Sequence, residues 1–154
     1  MKTTQLIIFI SIGILSLTST SCKKKGCTDS LAENYESKAK KDDGSCTYAR
    51  TKFIGSYTVS QDCEGDIGNY TLSITEGPNK NEVMLNNLQI DGYTVNIRAT
   101  VSGGNISFNE EQQELRFYGD GYLTGNSLTI DYNVCEEFYY PCSDPYSCTL
   151  LGSK

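Results

Sequence analysis

The stretch Tyr93–Val101, YTVNIRATV, constrains the fold more than any other part of the chain. Tyr93, Val95, Ile97, Ala99 and Val101 alternate with Thr94, Asn96, Arg98 and Thr100. Successive side chains of a strand point to opposite faces, so this pattern gives one apolar face and one wet face. A single strand cannot bury that face by itself and needs partners built the same way.

The partners are present. FIGSYTV (53–59), NYTLSIT (69–75), EVMLNNL (82–88), NISF (105–108), ELRFYGDGYL (114–123), SLTIDYNV (127–134) and SCTLL (147–151) read as further short strands. Turn signals punctuate them: Gly-Pro-Asn at 77–79, Asp-Gly at 91–92, Gly-Gly-Asn at 103–105 and Gly-Asn at 125–126. Gly119 and Gly121 mark a bulge or a sharp bend inside the sixth strand. No helix-period run competes after Phe53. The fold class is therefore all-β: eight antiparallel strands in an up-and-down barrel or a two-sheet sandwich over residues 53–154. A barrel of that size has room for packed side chains or for one small ligand. Sequence does not choose between the two.

The N-terminus, MKTTQLIIFISIGILSLTSTSC, is a different kind of segment. Lys2 precedes an apolar run from Leu6 to Leu17 that is too short to span a bilayer, and small residues then lead into Cys22. This is an export signal over residues 1–21. It resembles a bacterial lipoprotein signal, which implies lipidation of Cys22 as the first mature residue. Ser19 stands where such signals usually carry leucine.

Export places the chain where disulfides persist. The seven cysteines are an odd number, and lipidation of Cys22 leaves six to pair. Cys27 and Cys46 bracket a polar stretch in residues 22–52, where a bond would close a ring worth on the order of 3 kcal/mol. In a closed up-and-down sheet the first and last strands are neighbours. That geometry pairs Cys63 with Cys148 and leaves Cys135 with Cys142. The rival pairing joins Cys63 to Cys135 and Cys142 to Cys148.

Residues 22–52 carry eight Lys/Arg against five Asp/Glu, and residues 53–154 carry four against fourteen. A basic tether, with Lys23-Lys24-Lys25 beside the expected anchor, thus leads into an acidic domain. The acidic domain argues against nucleic acid as a partner. The absence of histidine removes Ser-His-Asp and Cys-His catalysis and His-ligated metals.

Three clusters bear on chemistry. Asp29, Asn34, Asp42 and Asp43 offer hard oxygen ligands of the kind calcium takes, but their spacing is not that of an EF-hand loop. The plainer reading is a turn-rich module held by its disulfide, with no cofactor. Glu110-Glu111 and Glu136-Glu137 raise a carboxylate hydrolase, yet adjacent strand residues point to opposite faces. CEEFYYPCSDPYSC (135–148) presents Tyr139, Tyr140 and Tyr146 as amphipathic rings on a stapled loop suited to recognition. The alternative is that Phe138 and a tyrosine plug one end of the barrel.

GCTDSLAENYESKAKKDDGSCTY (26–48) resembles a short motif of exported Bacteroidetes proteins, G-C-T-D-x-x-A-x-N-Y-x-x-x-A-x-x-D-D-G-S-C-x-Y. Glu36-Ser37 replaces the usual Asn-Pro, and one residue is inserted before the Asp pair. Residues 53–151 are similar to small Bacteroidetes lipoproteins with a lipocalin-like β-barrel. That similarity rests on Phe53-x-Gly55-x-Tyr57, the cysteine ending the first strand, the Gly125–Ile130 segment and the cysteine in the last strand. The resemblance implies a lipocalin-like fold and a lipid-anchored location in the bacterial envelope, at the outer membrane, and it implies no activity. Read from the residues, with no catalytic constellation in the chain, the expectation is a protein that is not an enzyme and binds a small ligand or partner through its β domain. A structural or adhesive surface role through the 135–148 loop is the alternative.

Overall fold

The computed structural model describes residues 23–90, 92–136, 142 and 145–154. The expected β domain is a closed barrel of eight antiparallel strands in simple meander order. The strands are β1 (Gly55–Cys63), β2 (Asp66–Glu76), β3 (Glu82–Ile90), β4 (Tyr93–Ser102), β5 (Asn105–Gln112), β6 (Leu115–Thr124), β7 (Ser127–Glu136) and β8 (Tyr146–Ser153). Pairing of β1 with β8, from Thr58↔Ser153 to Cys63↔Cys148, closes the cylinder.

Period two decides what lies inside. The inward set includes Tyr57, Val59, Leu72, Ile74, Leu85, Ile97, Ile106, Phe117, Ile130 and Leu150, all essentially inaccessible. The outward positions between them are mostly Ser, Thr, Asn, Asp, Arg and Glu, with Met84, Tyr118, Tyr122 and Leu151 among them. That is the reverse of a membrane-spanning barrel, whose outer band is apolar. Phe53 and Tyr57 fill the end where the chain enters, just after a 3-10 helix at Ala49–Lys52, and the Tyr57 hydroxyl donates to Phe53 O at 2.8 Å.

Two irregularities shape the surface. Asn86 and Asn87 in β3 together oppose Asn96 of β4, a bulge that shifts the register between Leu85 and Leu88. Asn87 takes φ 68°, a conformation asparagine tolerates better than most residues. In β6, by contrast, register runs unbroken past Gly119 and Gly121 on both sides, so these glycines do not form a bulge. They face inward, where a Cβ on Gly119 would lie 2.3 Å from Asp131 O and one on Gly121 2.6 Å from Thr129 O. Absent side chains let β6 sink against β7.

The β5–β6 hairpin is a source of strain. Gln113 and Glu114 hold φ of 54° and 65°, the geometry for which Asn-Gly is preferred. A left-handed conformation costs an ordinary residue about 1–2 kcal/mol, and glycine gives part of that back as unfolded-state entropy. Gln113→Asn combined with Glu114→Gly is therefore expected to stabilise the barrel by about 1 kcal/mol. A chemical-denaturation midpoint that does not rise would show the turn is already relaxed.

Candidate functional site

The hairpin at Glu64–Gly65, the β3–β4 turn and the β5–β6 turn share one rim of the barrel with the connection from β7 to β8. At this rim the wall is incomplete. β2 pairs with β3 only from Ser73↔Asn86 to Glu76↔Val83. Beyond that point the bulge turns β3 away, and side chains take over from the ladder. Asn87 Nδ2 donates to Thr71 O at 2.7 Å, and Asn86 Nδ2 donates to Ser73 O at 3.1 Å. From inside, Gln61 Nε2 donates to Gln89 O at 2.7 Å.

Gln61 is the centre of the site. It follows Tyr57 and Val59 in the inward phase of β1 and is only 6% exposed, the one buried polar side chain among the described residues. Gln89 O can only accept, which fixes the amide orientation. The Gln61 Oε1 then accepts from Tyr70 OH at 2.7 Å and from Tyr132 OH at 2.8 Å. Burial raises the Tyr70 phenol to about 12 and pushes Tyr132 further up, with the charges of Tyr70 and Tyr146 adding to the effect on Tyr132. Both phenols therefore stay protonated and keep donating.

Above this network lies a pocket of 280 Å³, lined by Gln61, Tyr70, Gln89, Tyr93 and Tyr146 with Asp66 at its edge. Among the described residues no Lys or Arg lines it. Tyr93, in phase with the inward set of β4, is 48% exposed because the barrel ends there and its ring stands on the rim.

The sequence-derived site residues fall as follows. Cys63 and Cys148 are directly paired and bonded, with Cα atoms 4.1 Å apart. Cys135 is bonded to Cys142, and Cys27 to Cys46. Tyr146 is not a loop ring. It opens β8, is half-buried, and donates to Cys63 O at 3.0 Å, so it ties the last strand to the first. Tyr139, Tyr140, Phe138 and Cys22 lie outside the described residues. Glu110 pairs with Arg98 and Glu111 with Arg116. Gln61, Tyr70 and Tyr132 were not singled out from sequence. The available signal was a glutamine standing in an apolar phase.

The four oxygen-bearing residues of the N-terminal module bind protein groups. Asp29 accepts from Leu31 N at 3.0 Å, Tyr48 OH at 2.8 Å and Lys80 Nζ at 2.7 Å. Asn34 bridges Ser45 O and Thr47 N. Asp42 and Asp43 accept from Gly44 N and Ser45 N in local Asx turns. Among the described residues no group of three or more His, Cys, Asp or Glu is placed to hold a metal. The module is instead clamped to the barrel through Asp29–Lys80 and through Arg50, which reaches Glu76, Gly77 O and Asn79 O.

The clamp carries a pH signature. The hydrogen bond from Lys80, then those from Leu31 N and Tyr48, lower the Asp29 carboxyl to about 2. An unfolded aspartate titrates near ~3.9, so the clamp's contribution is complete above that value and is lost as pH falls through about 2. Asp29 followed by carboxyl NMR should titrate well below the ordinary aspartate range. A midpoint at or above that range would mean the clamp does not form in solution.

Comparison of the chain with protein-family models, with curated proteins and with solved structures finds no match.

Proposed function

We propose that this is a non-enzymatic, lipid-anchored bacterial envelope protein that holds a small, uncharged polar ligand at the mouth of its barrel. The observation carrying this reading is the parted β2–β3 wall over the Gln61–Tyr70–Tyr132 network, an opening with aromatic sides and a hydrogen-bonding floor. The centre of the barrel is packed with Tyr57, Leu72, Leu85, Ile97 and Phe117, so the ligand sits at the end rather than in the interior. Asp66, and the lack of a lining cation among the described residues, disfavour carboxylate ligands. Phenols held protonated by burial do not serve as bases near neutrality, which supports a binding role.

Gly68 provides the test. It lines the pocket, and a Cβ there meets nothing within 4 Å, so Gly68→Trp starts from open space and directs an indole toward the mouth. Native mass spectrometry of the protein released from its own envelope should show a small adduct that Gly68→Trp lacks. An adduct retained by that variant, or none in either, removes the proposal. Anchoring is tested separately. Cys22→Ser should move the protein from the membrane fraction to the soluble exported fraction. A variant that stays with salt-washed membranes would exclude the lipid.

The packed interior also favours the second reading, adhesion through the Cys135–Cys142 loop. Replacing residues 137–141 with Gly-Ser should abolish surface attachment on that reading and leave the adduct intact on the first.

A further inference from the structure

The inward glycines of β6 have a consequence on the other side of the sheet. Where β6 sinks against β7, the outer surface of the barrel is hollowed into an open groove of 1520 Å³ spanning β4 to β8 and the end of β1. Its floor is a row of paired outward residues: Thr100↔Ser107, Ser107↔Asp120, Asp120↔Asp131, Asp131↔Thr149 and Thr149↔Asp62. Tyr118 and Tyr122 flank Asp120 along β6, about 13 Å apart at the strand rise. Tyr122 is 49% exposed although the apolar interior lies one residue away on either side.

The groove's hydrogen-bonding groups are held in place. Thr149 Oγ1 donates to Asp131 Oδ1 at 2.7 Å, and Ser147 Oγ donates to Asn133 Oδ1 at 2.8 Å. Among the described residues nothing is bonded to Asp131 Oδ2, Asn133 Nδ2 or the Asp120 carboxylate, so each can face a ligand. Arg98 is the lining cation, and Glu110 engages it at 3.0 Å. Anionic polymers meet carboxylates here, and among the described lining residues no cation other than the Glu110-paired Arg98 receives them. Carboxylate acceptors, an amide donor and phenol faces alternating along an extended trench match a chain of vicinal hydroxyls and flat C–H faces.

We propose that this dented outer face of β5–β8 is a binding groove for an uncharged oligosaccharide, with Tyr118 and Tyr122 as stacking platforms and Asp120, Asp131 and Asn133 as hydroxyl partners. The site is separate from the barrel mouth and does not depend on it. A cationic peptide would use the carboxylates alone, leaving the amide donor and the ring faces idle.

The test is a titration of the full exported chain carrying Cys22→Ser, read by amide chemical shifts. The probes are neutral glucan, xylan, mannan and chitin hexasaccharides, with a lysine decapeptide and an anionic polysaccharide alongside. At least one neutral hexasaccharide should shift resonances of residues 107–109, 118–122 and 131–133. Tyr122→Ala should weaken that binding about tenfold. Asp131→Asn, close in shape, should weaken it too, while Gly68→Trp leaves it unchanged. Failure of every neutral hexasaccharide at millimolar concentration overturns the proposal, as does full-strength binding by both groove variants. Shifts caused by the lysine peptide in place of the sugars do so as well.

Discussion

Replacing Cys63 and Cys148 together with alanine is expected to cost about 4–5 kcal/mol of unfolding free energy. The two cysteines are 85 positions apart and their bond joins the first strand to the last. In the chain-entropy account the bond removes entropy from the unfolded chain, and the amount grows with the logarithm of the loop. The same account gives about 3 kcal/mol for Cys27–Cys46, 19 positions apart, and about 2.5 kcal/mol for Cys135–Cys142, seven apart. The ordering also has a topological reason. Every other strand pair in the meander is joined by a connection of modest length, whereas β1↔β8 must be found across the whole domain. Urea unfolding of the three alanine pairs should place the Cys63/Cys148 midpoint lowest, and refolding of that pair should be slowest. A midpoint no lower than that of the Cys135/Cys142 variant would mean the β1–β8 seam holds without its bond.

The barrel was legible because its core is built from period two with few exceptions. Val95, Ile97, Ala99 and Val101 lie inside as their alternation requires, and each of the eight segments read from sequence is a strand. The choice between barrel and sandwich was not legible, because it depends on β1↔β8 pairing across the chain rather than on any local pattern. The site was hidden for a related reason. Asn86-Asn87 stands in the EVMLNNL strand segment as two polar residues, and only pairing opposite Asn96 shows the bulge that opens the wall. Gly119 and Gly121 signalled an irregularity of unspecified kind. Whether a glycine in a strand marks a bulge or a close approach depends on the residue across from it, here Asp131 O and Thr129 O. Tyr93 obeys the inward phase yet stands on the rim, because phase sets the face and barrel length sets the burial.

The mouth network should show itself as strongly non-additive energetics. Gln61→Leu keeps the approximate volume of the side chain but removes every partner at once. It leaves Tyr132 OH buried with no acceptor and Gln89 O with no side-chain donor, while Tyr70, half-buried at the pocket wall, can turn its hydroxyl to water. Each stranded buried group costs about 1–3 kcal/mol, so the single substitution should lose about 3 kcal/mol. Tyr132→Phe alone removes a donor from an oxygen that keeps a second one, and should lose about 1 kcal/mol. Independent effects would make the triple variant Gln61→Leu/Tyr70→Phe/Tyr132→Phe the worst of the set. A shared network predicts the opposite: with the phenols gone, only Gln89 O is left wanting, and the triple variant should recover roughly half of the loss. Urea midpoints at constant slope decide between them. Additive losses would show that Gln61 acts through packing rather than through its hydrogen bonds. A triple variant that folds well but no longer carries the adduct seen with the parent would assign the amide and phenols to recognition, since the pocket keeps its shape and loses only its polar floor.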